Sequence, residues 1–305
     1  MKFYKRIKRL ISSVYQIDHI AQFEPRLKYT LQHDALIEKA INCNEMGISA
    51  DKYCSSEIIV SLTTYGKRLF QVAATIESIM QGSMKPNRIV LWMGENMKDV
   101  TLPRTLQNQQ KRGLEIYYCK DIGSYTKLIP TLRKYPEASI ITIDDDALYS
   151  YDLVEKLVNE HCLYPNYIIA NRIHRVRLDS TGRPIKYMNW EWNNSPSDIS
   201  PLNFLTGVGG VLYPPKSLHP EVQNESVFLD ICKYADDIWF YAMALKAGTG
   251  IKKGFTHNDR GEDFLINDDV QDIGLRTINT GVNGKNDEQL IAVFEKYDLW
   301  KCLRS

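Results

Sequence analysis

The sequence has no CxxC pair, no cluster of cysteine with histidine, and no run close to the roughly 20 apolar residues that cross a bilayer. Its cysteines, Cys43, Cys54, Cys119, Cys162, Cys232 and Cys302, are scattered, which argues against a zinc site and against a secreted disulfide scaffold; a reducing compartment is expected. The N-terminus lacks the apolar core and small-residue cleavage site of a signal peptide, so a cytoplasmic protein is expected. Charge of one sign is also lacking. Lys and Arg number 38 against 37 Asp and Glu, a formal charge of +1, so no global field draws the chain to nucleic acid. No internal repeat or low-complexity linker divides the chain. What is present is an ordinary globular composition, 44% apolar and 25% charged over 305 residues, enough for one large α/β domain or two small ones.

Lys2, Lys5, Arg6, Lys8 and Arg9 alternate with Phe3, Tyr4, Ile7, Leu10, Ile11 and Val14, a basic amphipathic pattern at near-helical spacing. It reads either as a helix lying on an anionic membrane surface or as a helix docked on the domain with its lysines in water. Residues 15–56 read as an irregular or helical lead-in. From Glu57 the pattern becomes regular. Ile58–Leu62 is rich in β-branched residues and reads as a strand; Leu69, Val72, Ala73, Ile76 and Ile79 follow at helical spacing. Further buried strands are expected at Arg88–Met93, Leu114–Tyr118 and Ser139–Ile143. Strands alternating with helices predict an α/β fold with a mostly parallel sheet covered on both faces. Residues 193–201, rich in Pro, Asn and Ser, read as a surface loop.

Ligands of such sheets bind beyond the carboxyl ends of the strands, so the residues just after each strand are the candidates for chemistry. They are Thr63 to Arg68, Asp121 to Lys127, and Asp144-Asp145-Asp146. Three adjacent aspartates oppose one another's ionisation unless something neutralises them. A divalent cation such as Mn²⁺ or Mg²⁺ would do so, bound by carboxylate oxygens together with substrate phosphates; in an extended segment Asp144 and Asp146 share a face. The alternative is a helix cap or a solvated acidic turn. Lys67, Arg68 and Lys127 are cations suited to a diphosphate.

The succession IIVSLTTYGKR, NRIVLWMGE, DIGSYTKLIPTL and ITIDDD resembles a bacterial glycosyltransferase of the GT-A fold, family-2-like, of the kind that builds capsule and lipopolysaccharide. The resemblance covers residues 57–250. It implies a Rossmann-like GT-A sheet and a metal-dependent, inverting hexose transfer from a nucleotide-diphosphate sugar, a UDP-sugar above all, to a glycan or lipid-linked acceptor. Residues 1–56 would then be an N-terminal extension, 57–150 the nucleotide-sugar half and 151–305 the acceptor half with the C-terminal tail. Asp144 and Asp146 would hold the metal through a DxD motif, with His257 completing it. Thr63, Thr64, Tyr65, Arg68, Asp121, Tyr125, Lys127, Asp144 and Asp145 would meet the donor, as would Gly209 and Gly210 of the Thr206–Gly210 turn. The run from Asp236 to Gly248 is similar to the family's Glu-Asp helix, which makes Asp237, or else Asp236, the base that takes the acceptor proton. An N-capping acidic pair is the plain alternative. Trp190 and Trp192 would stack on acceptor sugar. The same acidic cluster would also suit a nucleotidyltransferase, a sugar-phosphate hydrolase or a non-catalytic carbohydrate-binding protein.

Overall fold

The structure, a computed structural model, describes residues 23–258, 262–266, 279 and 284–304. The basic segment 1–14 lies outside the described residues. A helix, α1 (23–42), leads into the domain. The Ile58 run forms β1 (Ile58–Thr63), and a 3₁₀ turn at Gly66–Phe70 precedes α2 (Val72–Met80), so the helical spacing from Leu69 spans two elements. Next come β2 (Arg88–Gly94), α3 (Arg104–Lys111), β3 (Leu114–Cys119), α4 (Ile129–Lys134) and β4 (Ser139–Thr142), with strand positions as the apolar runs predict. The second half adds β5 (Ala147–Tyr149), α5 (Leu153–Leu163), β6 (Ile168–Ala170), β7 (Ile173–Arg175), β8 (Glu191–Asn194), β9 (Asn203–Leu205) and β10 (Val211–Tyr213). It closes with α6 (Glu225–Ile231), α7 (Asp236–Ala247), β11 (Ile251–Lys253), β12 (Phe264–Ile266) and α8 (Asn286–Tyr297).

Seven strands form the main sheet in the order β11-β6-β10-β4-β1-β2-β3. Pairings β1 with β2 and β4, β2 with β3, and β6 with β11 are parallel; only β10 runs against its neighbours β4 and β6. Because alternate residues of a strand face opposite sides, the sheet carries two cores. Val60, Leu91 and Ile141 pack with α2 and α5 on one face. Ile140, Val211 and Tyr213 pack with α7 and α8 on the other. This is the α/β architecture with a mostly parallel sheet between helices that the sequence predicts. The 193–201 segment departs from expectation at its start: Asn194 pairs with Ile173 within β8, so the loop proper follows.

Strand direction positions the site. The parallel strands β1, β3, β4 and β6 deliver Thr63, Asp121, Asp144 and Arg172 past their carboxyl ends. Antiparallel β10 starts at that same edge, so the turn before it, Thr206–Gly210, arrives there as well.

Candidate functional site

At this edge lies a cavity of about 1420 Å³ lined by Thr63, Asp121, the three aspartates, Arg172, Asp236 and Asp237, among others. The aspartates run into a turn between β4 and β5 and do not form an extended segment; Asp145 and Asp146 meet Arg68 and Asp144 meets Lys127. Asp145 is buried, accepting from Thr64 Oγ1 and Arg68 Nη1, each at 2.7 Å. Asp146 pairs with the other Arg68 nitrogen at 3.1 Å. Asp144 accepts from Lys127 Nζ at 2.9 Å. Lys127 also lies 3.0 Å from Asp236 Oδ2, an ion pair without hydrogen-bond alignment. Asp236 accepts from Ser124 Oγ at 2.8 Å, and Asp237 from the Gly207 amide at 3.0 Å.

The two helix aspartates are therefore not caps. Ala235 takes the cap position of α7, and no side chain caps it. Asp236 and Asp237 turn instead towards Lys127 and the Gly207 turn, while the helix N-terminus still favours their negative charge. The remaining end of α7 is conventional: Gly248 adopts the left-handed conformation (φ 74°) that closes a helix.

Charge dominates the site. Among the described residues, five carboxylates, Asp144, Asp145, Asp146, Asp236 and Asp237, gather around Lys127 and Arg68, with Arg172 in the same cavity wall. The consequences appear in the carboxyls. Burial, then the Asp144 charge, pushes Asp146 up to about 6. Burial, then the Asp236 charge, pushes Asp237 up to about 7. For Lys127 burial acts downward, but the adjacent Asp144 and Asp236 carboxylates outweigh it and hold the ammonium well above its usual range. Among the described residues no three His, Cys, Asp or Glu side chains converge as a ready-made metal cage. Asp144 and Asp146 line the cavity and are oxygen donors of the kind Mg²⁺ or Mn²⁺ takes together with water and phosphate oxygens, but each is paired with a cation, Asp144 with Lys127 and Asp146 with Arg68, which a metal would have to displace or share.

Other expected site residues fall into two groups. Thr63, Tyr65, Asp121 and Trp192 line the cavity with the residues above. Tyr65 carries Arg68 over its ring at 5.5 Å, and Trp192 stacks on His174 with centroids 4.8 Å apart. The rest stand elsewhere. Tyr125 is fully buried, stacked on Phe228, with its hydroxyl donating to the Cys232 carbonyl; an aromatic one turn into a packed helix belongs to the core. Trp190 is buried against Tyr187 and Phe204, its Nε1 donating to the Ile185 carbonyl. Gly209 and Gly210 admit a close backbone approach, but to Arg172 and Leu153 of the protein itself. His257 is 60% exposed, bonded to Asp152 at 2.7 Å, and absent from the cavity wall.

Ser124, Arg172 and Gly207 are the site residues that sequence reasoning passed over. A Cβ at Gly207 would lie 2.8 Å from Lys127 Nζ and 3.0 Å from Asp237 Oδ1. The signal of Gly207 in the sequence is its place in the glycine-rich turn Thr206–Gly210.

No protein-family model matches the chain, and no curated protein matches it. Among solved structures it is similar to a mannosyltransferase from Pyrobaculum calidifontis in complex with GDP-Man and Mn²⁺ (13% identity, 76% of this chain and 63% of that one, TM-score 0.42). It is also similar to S. aureus TarS 1-349 (13%, 65% and 59%, TM-score 0.39) and to the inositol-1-phosphate CTP transferase of T. maritima (13%, 79% and 98%, TM-score 0.41). The matched part thus covers about three-fifths of each of the first two. At such identities and TM-scores the likeness assigns no activity to this chain.

Proposed function

We propose that this protein is a metal-dependent, inverting glycosyltransferase that moves a hexose from a nucleotide-diphosphate sugar to an acceptor hydroxyl. The observation that carries the reading is the gathering of Asp144, Asp145, Asp146, Asp236 and Asp237 around Lys127 and Arg68 at the carboxyl edge of a mostly parallel sheet, beside a cavity of about 1420 Å³. Asp144 and Asp146 would hold Mn²⁺ or Mg²⁺. The cation supplies neutralisation of the departing nucleoside diphosphate. Asp237 serves as the base, because a carboxyl raised to about 7 is balanced between holding and taking a proton at neutral pH. In the transfer a bond forms between the acceptor oxygen and the anomeric carbon, the bond from that carbon to the diphosphate breaks, and the acceptor proton passes to Asp237. Lys127 holds Asp144 and Asp236 in place, and the Gly207 amide aims the Asp237 carboxylate. Trp192 offers an aromatic face in the same cavity, suited to a sugar ring.

The test is a panel of nucleotide-sugars incubated with the protein and Mn²⁺, followed for release of nucleoside diphosphate. Hydrolysis or transfer that EDTA abolishes and Mn²⁺ or Mg²⁺ restores is the expected result. Full activity in EDTA removes the metal assignment, and release of pyrophosphate from a nucleoside triphosphate and a sugar phosphate would make the protein a nucleotidyltransferase instead.

A further inference from the structure

Helix α1 has two faces of opposite character to its neighbours. Leu36 and Ala40 are buried, and Tyr29 and Ile37 pack with Leu36 against Ala74, Leu148 and Leu265. On the opposite side Phe23, Leu27 and Leu31 stand at i, i+4 and i+8, one stripe on a helix, and are 65%, 45% and 64% exposed. Three large apolar side chains in a row facing water are the mark of an interaction surface; scattered singly they would mean nothing.

Charge selects the partner. Residues 1–31 hold seven Lys and Arg, five of them among the first nine residues, against Asp18 and Glu24, a formal +5. Since the whole chain is only +1, the remainder sums to −4, so the positive charge is concentrated in the part of the sequence that leads into and includes this stripe. Arg26 and Lys28 flank Leu27 on either side of the stripe. Position relative to the cavity is the third observation: Pro25, Arg26, Tyr29 and Thr30 of the same helix line it, together with Phe70, itself 67% exposed.

We infer that the Phe23-Leu27-Leu31 face of α1 docks on an anionic lipid bilayer, the apolar stripe entering the interface while the surrounding cations meet lipid phosphates. Docking there holds the cavity, which the same helix lines, close to the membrane. On the transferase reading above, which the docking itself does not need, this orientation presents the site to an acceptor carried on a lipid.

The experiment is sedimentation of the full chain with vesicles of phosphatidylcholine alone or mixed with phosphatidylglycerol. The protein is expected to sediment with the mixed vesicles, less well as salt rises, and weakly with phosphatidylcholine alone. The triple variant Phe23→Gln/Leu27→Gln/Leu31→Gln should lose about tenfold or more in partitioning, with its melting temperature unchanged because the three side chains are exposed. The single variant Leu27→Glu should move the same way. Equal sedimentation of triple variant and wild type, or failure of the wild type to bind mixed vesicles, overturns the inference. So does a dimer that the triple substitution dissociates while vesicle binding persists, which would assign the face to a second copy of the chain. Vesicle binding without any donor hydrolysis would sink the transferase reading and leave the docking face standing.

Discussion

Replacing Lys127 with Met removes the ammonium between Asp144 and Asp236 and keeps the bulk of its stem. At an effective dielectric near 20, a unit pair 3 Å apart attracts by on the order of 5 kcal/mol, and Lys127 makes two such contacts. Burying the ammonium costs several kcal/mol in return, so the expected net loss on removing one member of a buried pair is about 3–5 kcal/mol at neutral pH. The loss should depend on pH, and its sign follows from the carboxyls. Asp146 and Asp237 titrate at about 6 and about 7 when folded, above their ordinary value. Their contribution to stability is therefore full at pH below the unfolded value and is lost as pH rises through about 6 to 7. Without Lys127 the group retains protons more strongly. Each extra proton kept in the folded state shrinks the penalty by about 1.36 kcal/mol per unit of falling pH, or up to about 2.7 kcal/mol between roughly pH 7.5 and 5.5. Urea unfolding of wild type and Lys127→Met in EDTA, at both pH values, measures this difference while effects common to both proteins cancel. A penalty under about 1 kcal/mol, or one that is equal at the two pH values, refutes the account of Lys127 as the counter-charge of the site.

Asp237→Asn should lower turnover by about 10²–10⁴ with donor affinity nearly unchanged, read by steady-state rates and donor binding side by side; a comparable loss confined to Asp236→Asn would move the base by one residue. Gly207→Ala should cut turnover with little change in melting temperature, because its Cβ meets the Lys127 ammonium and the Asp237 carboxylate and must displace one of them; wild-type kinetics would show that the pair has room to spare. Trp192→Ala should weaken use of the acceptor and leave stability close to wild type, whereas Trp190→Ala should cost about 3–5 kcal/mol in urea unfolding; the reverse pattern would exchange the two roles.

The sheet was legible because its strands are short apolar runs rich in β-branched residues, and a buried parallel strand has no polar face to disguise it. The post-strand rule then pointed to Asp144, Asp121 and Thr63 without any knowledge of the packing. Charge spacing was equally local, so three consecutive aspartates announced a need for neutralisation. What neutralises them in the folded chain was not legible. Lys127 and Arg68 sit far from the aspartates in sequence, and only the β1 and β4 pairing brings Arg68 within 2.7 Å of Asp145. The roles of the aromatic residues were hidden for the same reason. Trp190 and Trp192 are two apart and would share one face of a regular strand, but Trp190 closes the 3₁₀ turn Tyr187–Asn189 while Trp192 lies within β8, so one is buried in the core and the other lines the cavity, a choice that composition does not record. The four strands of the first half, and with them the edge where ligands would meet the sheet, were readable from sequence because they depend on local propensity and periodicity; most of the short strands β5 to β12 were not. The tertiary contacts decided which cation each aspartate meets and which aromatic residues belong to the core, since each of these depends on residues remote along the chain.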